Sequence, residues 1–191
     1  MITTHPIRFV SLGPGEPDLI TLKGFQALQT ADCIFCPATM TRDGKSSSRA
    51  LSILDTLGFS DTVQCFRLPM DKDRTQALKA YEAVYESSKT LRAEGKNIVI
   101  VAEGDAGLYS SIHYIYDKLR EDGIPVEQIA GIPAFIASGA MADYTTRTCH
   151  NQRAGRLPEA TNRSGHYEAL AMCRRSTPMH KQPSGISVSL F

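Results

Sequence analysis

Short apolar runs at residues 7–12, 33–36, 63–66, 98–102 and 126–130 alternate along this chain with stretches of helical periodicity, and that alternation constrains its fold most. The runs are often β-branched and end in turn residues, as buried strands do. The intervening segments space apolar groups three and four residues apart: Leu22, Phe25 and Leu28; Leu51, Leu54 and Leu57; Leu78, Tyr81, Tyr85, Ser88 and Leu91; Ile112, Ile115, Tyr116 and Leu119. Five strands with a helix in each gap predict an α/β fold, a five-stranded mostly parallel sheet flanked by helices on both faces. Ile98-Val-Ile-Val-Ala102 reads as a central strand, because its apolar run is unbroken. Sheets of this kind hold ligands in loops at the carboxyl ends of their strands.

Three of those loops are rich in small residues. The first lies in Val10-Ser-Leu-Gly-Pro-Gly-Glu-Pro-Asp-Leu-Ile-Thr-Leu-Lys-Gly24. Gly13 and Gly15 adopt backbone angles closed to other residues and let a ligand approach the main chain, while Pro14 stiffens the turn between them. The third glycine of a dinucleotide fingerprint is replaced by Asp18, which argues against a standard NAD site. The second loop is Glu103-Gly-Asp-Ala-Gly-Leu-Tyr-Ser-Ser111 and the third Gly131-Ile-Pro-Ala-Phe135. Asp105 is suited to accept hydrogen bonds from hydroxyls or a cationic group, and Ser110 and Ser111 to cap the next helix. Taken singly, each loop is equally a plain glycine turn. Converging on one edge, the three point to a ligand site.

Composition narrows the partners. With 191 residues, 42% of them hydrophobic, the chain has room for one sizeable core and an appendage. A net charge of +1 gives no electrostatic case for nucleic acid or an anionic membrane, which leaves a small molecule. No leader-like N-terminus and no apolar segment of about 18 residues is present, so a cytoplasmic protein is expected. Five cysteines, an odd number, argue for reduced thiols. Cys33-Ile-Phe-Cys36 has the spacing of a redox or metal motif, but in a strand its two ends face opposite ways, which predicts two buried thiols. Cys149, His150, His166, Cys173 and His180 lack the paired spacing of zinc ligands, so no metal is assigned. His113 reads as a surface or capping histidine rather than a base. Without a Gly-x-Ser-x-Gly elbow or a P-loop, hydrolase and NTPase readings lose their support.

The pattern stops near Ala142. From residue 143 to 191 only Leu157, Leu170, Ile186, Val188 and Leu190 represent Leu, Ile and Val, too few to offset the entropy of ordering that stretch. The same segment carries seven basic residues (Arg147, Arg153, Arg156, Arg163, Arg174, Arg175, Lys181) against Asp143, Glu159 and Glu168, a net of +4. The expected organisation is one α/β domain over 1–142 and a poorly ordered tail over 143–191, either a solvated tail or a basic arm for RNA or acidic partners.

At this point the loops resemble a known family, the tetrapyrrole (corrin/porphyrin) methylases of the cobalamin pathway. Phe9-Val-Ser-Leu-Gly-Pro-Gly-Glu-Pro-Asp-Leu-Ile-Thr-Leu-Lys-Gly24 resembles the family's opening signature, and Ala102-Glu-Gly-Asp-Ala-Gly-Leu-Tyr-Ser-Ser111 its Gly-Asp-Pro loop. Gly131-Ile-Pro-Ala-Phe-Ile-Ala-Ser138 falls where the family has Gly-x-Thr-Ser-x-x-Ala. Cys36-Pro-Ala-Thr-Met, Ser46-Ser-Ser-Arg-Ala-Leu and Arg67-Leu-Pro-Met-Asp-Lys-Asp-Arg74 are most like the precorrin-2 (or cobalt-factor II) C(20)-methyltransferase branch.

Over residues 7–142 the resemblance implies the N-terminal domain of a homodimeric enzyme. Such an enzyme transfers a methyl group from S-adenosyl-L-methionine to carbon 20 of precorrin-2 or cobalt-precorrin-2, with no nucleic acid or membrane partner. It implies that Gly104, Asp105, Leu108, Tyr109, Ala134 and Phe135 hold the cofactor and that Gly13, Pro14 and Gly15 face the tetrapyrrole, and it assigns no catalytic base. Ala106 stands in place of the family's proline, and Pro133-Ala134 in place of Thr-Ser, which removes a hydroxyl hydrogen bond to the cofactor. The tail resembles nothing in the family's second domain. A frameshift or truncation would produce it, so an inactive remnant, or a methylase of another tetrapyrrole, is the alternative.

Overall fold

The computed structural model describes residues 5–40, 46–69 and 74–142. Its elements are β1 (Ile7–Ser11), α1 (Leu22–Gln29), β2 (Cys33–Met40), β3 (Ser46–Ser47), α2 (Arg49–Thr56), β4 (Val63–Pro69), α3 (Thr75–Ala93), β5 (Ile98–Ala102), α4 (His113–Glu121), β6 (Val126–Ile129) and α5 (Ala134–Met141). The five expected strands run parallel in the order β4-β2-β5-β1-β6, and the short β3 pairs antiparallel with the carboxyl end of β2 through Thr39 and Met40. β5 is the middle strand and every one of its residues is buried, as its apolar run requires.

The connections explain the layering. From β1 to β2 to β4 the chain moves across the sheet in one direction, and from β4 to β5 to β6 it returns. Right-handed crossovers therefore place the first two helices on one face and the next two on the other. Ala27, Leu28, Ala50, Ile53 and Leu54 of α1 and α2 pack with Val10, Leu12, Ile34, Val99 and Val101. Tyr81, Val84 and Tyr85 of α3 and Ile115 and Leu119 of α4 pack with Ile7, Phe9, Phe35, Ile98 and Ile100. Alternate residues of each strand serve opposite cores, the period-2 arrangement that buried strands impose. Cys33 and Cys36 obey it: both are buried, in opposite cores.

Hydroxyls start two of the helices. Thr21 Oγ1 accepts the amide of Gly24 at 3.2 Å, and Ser48 Oγ that of Leu51 at 3.0 Å. Two residues of the expected apolar stripes, Leu22 and Leu78, are exposed in the first turns of α1 and α3, and Val84 takes up core space instead. Helix α5 begins within the third expected loop, at Ala134, and runs on to Met141, where no helix was expected. Its residues, Ala134-Phe-Ile-Ala-Ser-Gly-Ala-Met141, have little polar contrast around the helix, and none is buried, so no amphipathic period marks it. Among the described residues no helix is long and apolar enough to cross a membrane. The cysteine and histidine set from Cys149 to His180, the basic segment and the middle of the 67–74 motif lie outside the described residues.

Candidate functional site

Adjacent strands β1 and β5 send the chain in opposite directions, α1 toward β2 and α4 toward β6. The crevice beyond their carboxyl ends is where open α/β sheets bind ligands. There Gly13 and Gly104 form a reciprocal backbone pair: the Gly13 amide donates to the Gly104 carbonyl at 3.1 Å, and the Gly104 amide to the Gly13 carbonyl at 2.7 Å. Both have left-handed backbones, φ +82° and +71°. At Gly13 a Cβ would also press on the Leu19 carbonyl oxygen at 3.0 Å, whereas at Gly104 it would meet nothing within 4 Å. The main chain at Gly104 is thus open to a ligand.

Asp105 fastens the second loop to the third. Its Oδ1 accepts the Gly107 amide at 2.8 Å and its Oδ2 the Gly131 amide at 2.7 Å. Each carboxylate oxygen keeps one further lone pair for a ligand hydroxyl. Ser11, the last residue of β1 and fully buried, joins the same three segments: its hydroxyl accepts the Ala106 amide at 2.8 Å and donates to the Ile129 carbonyl at 2.7 Å. Gly131 fits so closely that a Cβ there would lie 2.4 Å from Ser11 Cβ and 2.9 Å from the Gly104 carbonyl oxygen. On the other side, Arg49 of α2 passes by Gly15 and pairs with Glu103 at 3.0 Å, linking the first loop to the entry of the second. This exposed pair adds little stability, but it limits where the arginine can go.

All three predicted loops therefore meet on one edge. Leu108 and Tyr109 on the second loop and Phe135 and Ile136 at the start of α5 are large apolar groups exposed to 42%, 88%, 50% and 54%. Tyr109 also has a left-handed backbone at φ +54°, the one such non-glycine residue among those described, and bulky residues adopt it at some energetic cost. Ala134 is exposed beside Phe135, and Pro14 lies in the turn between two left-handed glycines. Backbone amides and carbonyls flanked by apolar surface suit a ligand with both polar atoms and flat apolar parts.

Some expectations change. Neither Ser110 nor Ser111 caps α4 with its side chain; the Ser111 hydroxyl instead receives a hydrogen bond from Tyr81, and the first amides of α4 turn back to the Ser110 and Ser111 carbonyls. His113 is half-buried, with its ring 5.6 Å from that of Tyr116. Ser11, Arg49 and Glu103 lie in the motif segments but were not expected to join them. A hydroxyl between Val10 and Leu12, near the end of the β1 run, was the one signal for Ser11. Burial pushes the Cys36 thiol up to about 12 and raises Cys33, so neither is a nucleophile near neutral pH. Among the described residues no group of histidines, cysteines and carboxylates is arranged to hold a metal ion.

Comparison with known proteins places this geometry in a family. The family model of the tetrapyrrole (corrin/porphyrin) methylases matches residues 6–182, farther along the chain than the loop motifs reach. A probable cobalt-precorrin-2 C(20)-methyltransferase of Methanocaldococcus jannaschii is 34% identical over 131 residues, covering 69% of this chain and 54% of its own. A cobalt-precorrin-2 C(20)-methyltransferase of Salmonella typhimurium is 36% identical over 140 residues, covering 70% and 55%. The chain thus spans about half the length of these curated relatives. The crystal structure of a cobalt precorrin-4 methyltransferase shares the fold with a TM-score of 0.51 at 24% identity, over 72% of this chain and 50% of that one. Sheet, loops and family model agree that this chain belongs to the tetrapyrrole methylases.

Proposed function

We propose that this chain serves S-adenosyl-L-methionine-dependent methyl transfer to carbon 20 of precorrin-2 or its cobalt form, in cobalamin biosynthesis and as a homodimer. The observation that carries the reading is the Gly13–Gly104 backbone pair with Asp105 clasping Gly131, which gathers three motif loops into one crevice. The open backbone at Gly104 and the exposed faces of Leu108, Tyr109 and Phe135 fit a ligand with an adenosine's flat ring and a charged amino-acid end. Gly104, Asp105, Leu108, Tyr109, Ala134 and Phe135 would hold the cofactor, and Gly13, Pro14 and Gly15 would face the tetrapyrrole.

When bound, the cofactor supplies a sulfonium methyl group already activated for attack by an electron-rich carbon. What remains for the protein is mainly position, and holding two reactants at near-attack distance removes several kcal/mol of entropic barrier, about 7–11 in well-oriented systems. The joined loops suit that task, because the Gly13–Gly104 backbone pair and the hydrogen-bonded Ser11 and Asp105 side chains fix each to the others. Preference for carbon 20 draws support from the names of the two relatives and from the segment Cys36-Pro-Ala-Thr-Met40, which lies on β2 beside the short β3.

Calorimetric titration of the chain with S-adenosylhomocysteine should give saturable binding at one site per chain; absence of binding overturns the cofactor assignment. Incubation with S-adenosyl-L-methionine and precorrin-2 should then yield a singly methylated product with the new group on carbon 20. Methylation at another carbon, or of another tetrapyrrole only, would replace this substrate assignment.

A further inference from the structure

Beside the cofactor loop the structure holds a concavity of about 390 Å³, with Arg74, Tyr109, Ser111, His113, Tyr114 and Asp117 in its lining. It lies outside the residues assigned above except for Tyr109, which borders both. Two hydroxyls in its wall are already receiving hydrogen bonds. Tyr114 Oη accepts from Arg74 Nη1 at 3.3 Å, and a guanidinium can only donate. Ser111 Oγ accepts from Tyr81 Oη at 2.6 Å. With their acceptor sides taken, both hydroxyls have a proton left to give, and among the described residues neither has an acceptor for it.

These donors are held in place by the core. Tyr81 is buried at 6% exposure, and its ring stacks on that of Tyr114 at 5.7 Å with the planes 24° apart. The same buried tyrosine thus fixes the Ser111 hydroxyl by a hydrogen bond and the Tyr114 ring by contact. Arg74 lines the concavity and makes no ion pair with any described carboxylate. A guanidinium and two polarised hydroxyls make a site for an anionic oxygen ligand.

Asp117 in the same wall offsets the Arg74 charge, so a dianion such as phosphate gains no electrostatic advantage there over a singly charged carboxylate. The volume admits a carboxyalkyl arm with its water and excludes a macrocycle. We propose that this concavity binds a carboxylate arm of the tetrapyrrole substrate, with Arg74, Ser111 and Tyr114 as donors, and thereby sets how the macrocycle lies against the neighbouring cofactor loop. The proposal rests on the functional reading above, since it takes the substrate class from it.

The test uses the whole chain and uroporphyrin, a fluorescent polycarboxylate tetrapyrrole, with S-adenosylhomocysteine titrated in parallel. Arg74→Gln should weaken uroporphyrin binding by about tenfold or more and Tyr114→Phe by about three- to tenfold, in the range of a charge-assisted and an ordinary hydrogen bond. Asp117→Asn should tighten it several-fold, a gain that misfolding cannot produce. Affinity for S-adenosylhomocysteine should stay within about twofold in all three variants. The proposal is overturned if the unaltered chain binds no uroporphyrin, or if all three variants bind it equally well. It is also overturned if the variants weaken S-adenosylhomocysteine instead, which would assign the concavity to the cofactor's own carboxylate. If the unaltered chain binds no S-adenosylhomocysteine while the uroporphyrin changes follow these signs, the cofactor reading fails and the carboxylate site stands.

Discussion

Asp105 Oδ2 holds the amide of Gly131 at 2.7 Å, so a single carboxylate determines how the loop after β6 meets the loop after β5. Its other oxygen holds Gly107. An asparagine here would offer one oxygen and one NH2 group, and either orientation would set the NH2 against a backbone N–H. Asp105→Asn should therefore cost about 1–3 kcal/mol in urea unfolding and weaken S-adenosylhomocysteine by about tenfold or more. Unchanged affinity in the folded variant would detach Asp105 from the cofactor site.

Gly131→Ala should be more damaging than its size suggests. The new methyl would meet Ser11 Cβ at 2.4 Å and the Gly104 carbonyl oxygen at 2.9 Å, so backbone must move. A loss of about 1–3 kcal/mol or more is expected, together with loss of ligand binding. Gly58→Ala is the control: its φ is +83° but nothing lies within 4 Å, so only the backbone penalty of roughly 1–2 kcal/mol applies and binding should persist. Equal binding losses in the two variants would contradict this account.

Ser11 and Ala106 are predicted to be coupled. Ala106 stands where the family has proline, and its N–H is used, donating to the Ser11 hydroxyl at 2.8 Å. Ala106→Pro removes that donor and Ser11→Ala its acceptor. Each alone should destabilise the fold by about 1–2 kcal/mol, and the double variant should lose less than the sum. Strict additivity in chemical denaturation would show that the bond contributes nothing.

The thiols should separate by burial. Peptide-resolved alkylation with iodoacetamide at pH 8 should label the exposed Cys65 and spare Cys33 and Cys36. Because burial raises the Cys36 thiol to about 12 in the folded chain, its neutral form favours folding; that contribution is complete below about pH 9 and is lost as pH rises toward 12. Replacing Cys36 by Ala should flatten the fall in stability over that interval. An unchanged slope would assign the alkaline loss to other groups.

The main features of the fold were legible because each is local. A buried strand must be apolar on both faces, so β5 declared itself as an unbroken run and fell in the centre as that run implied. Gly13 and Gly104 could be read as ligand turns because only glycine takes their positive φ freely. Helix α5 was not legible, since a helix that buries no face carries no period. The capping role expected of Ser110 and Ser111 failed because Tyr81, distant in sequence, binds the Ser111 hydroxyl instead.

By itself, then, the sequence determined the elements, their alternation and the three loops, because periodicity and backbone permission are properties of neighbouring residues. Only the tertiary structure decided what those loops do to one another. Ser11 finds Ile129 across 118 residues, Asp105 finds Gly131 across 26, and Arg74 finds Tyr114 across 40. Those meetings follow from the strand order β4-β2-β5-β1-β6 and its register, which no local pattern encodes, since long-range pairing is settled by how the whole sheet buries its two faces.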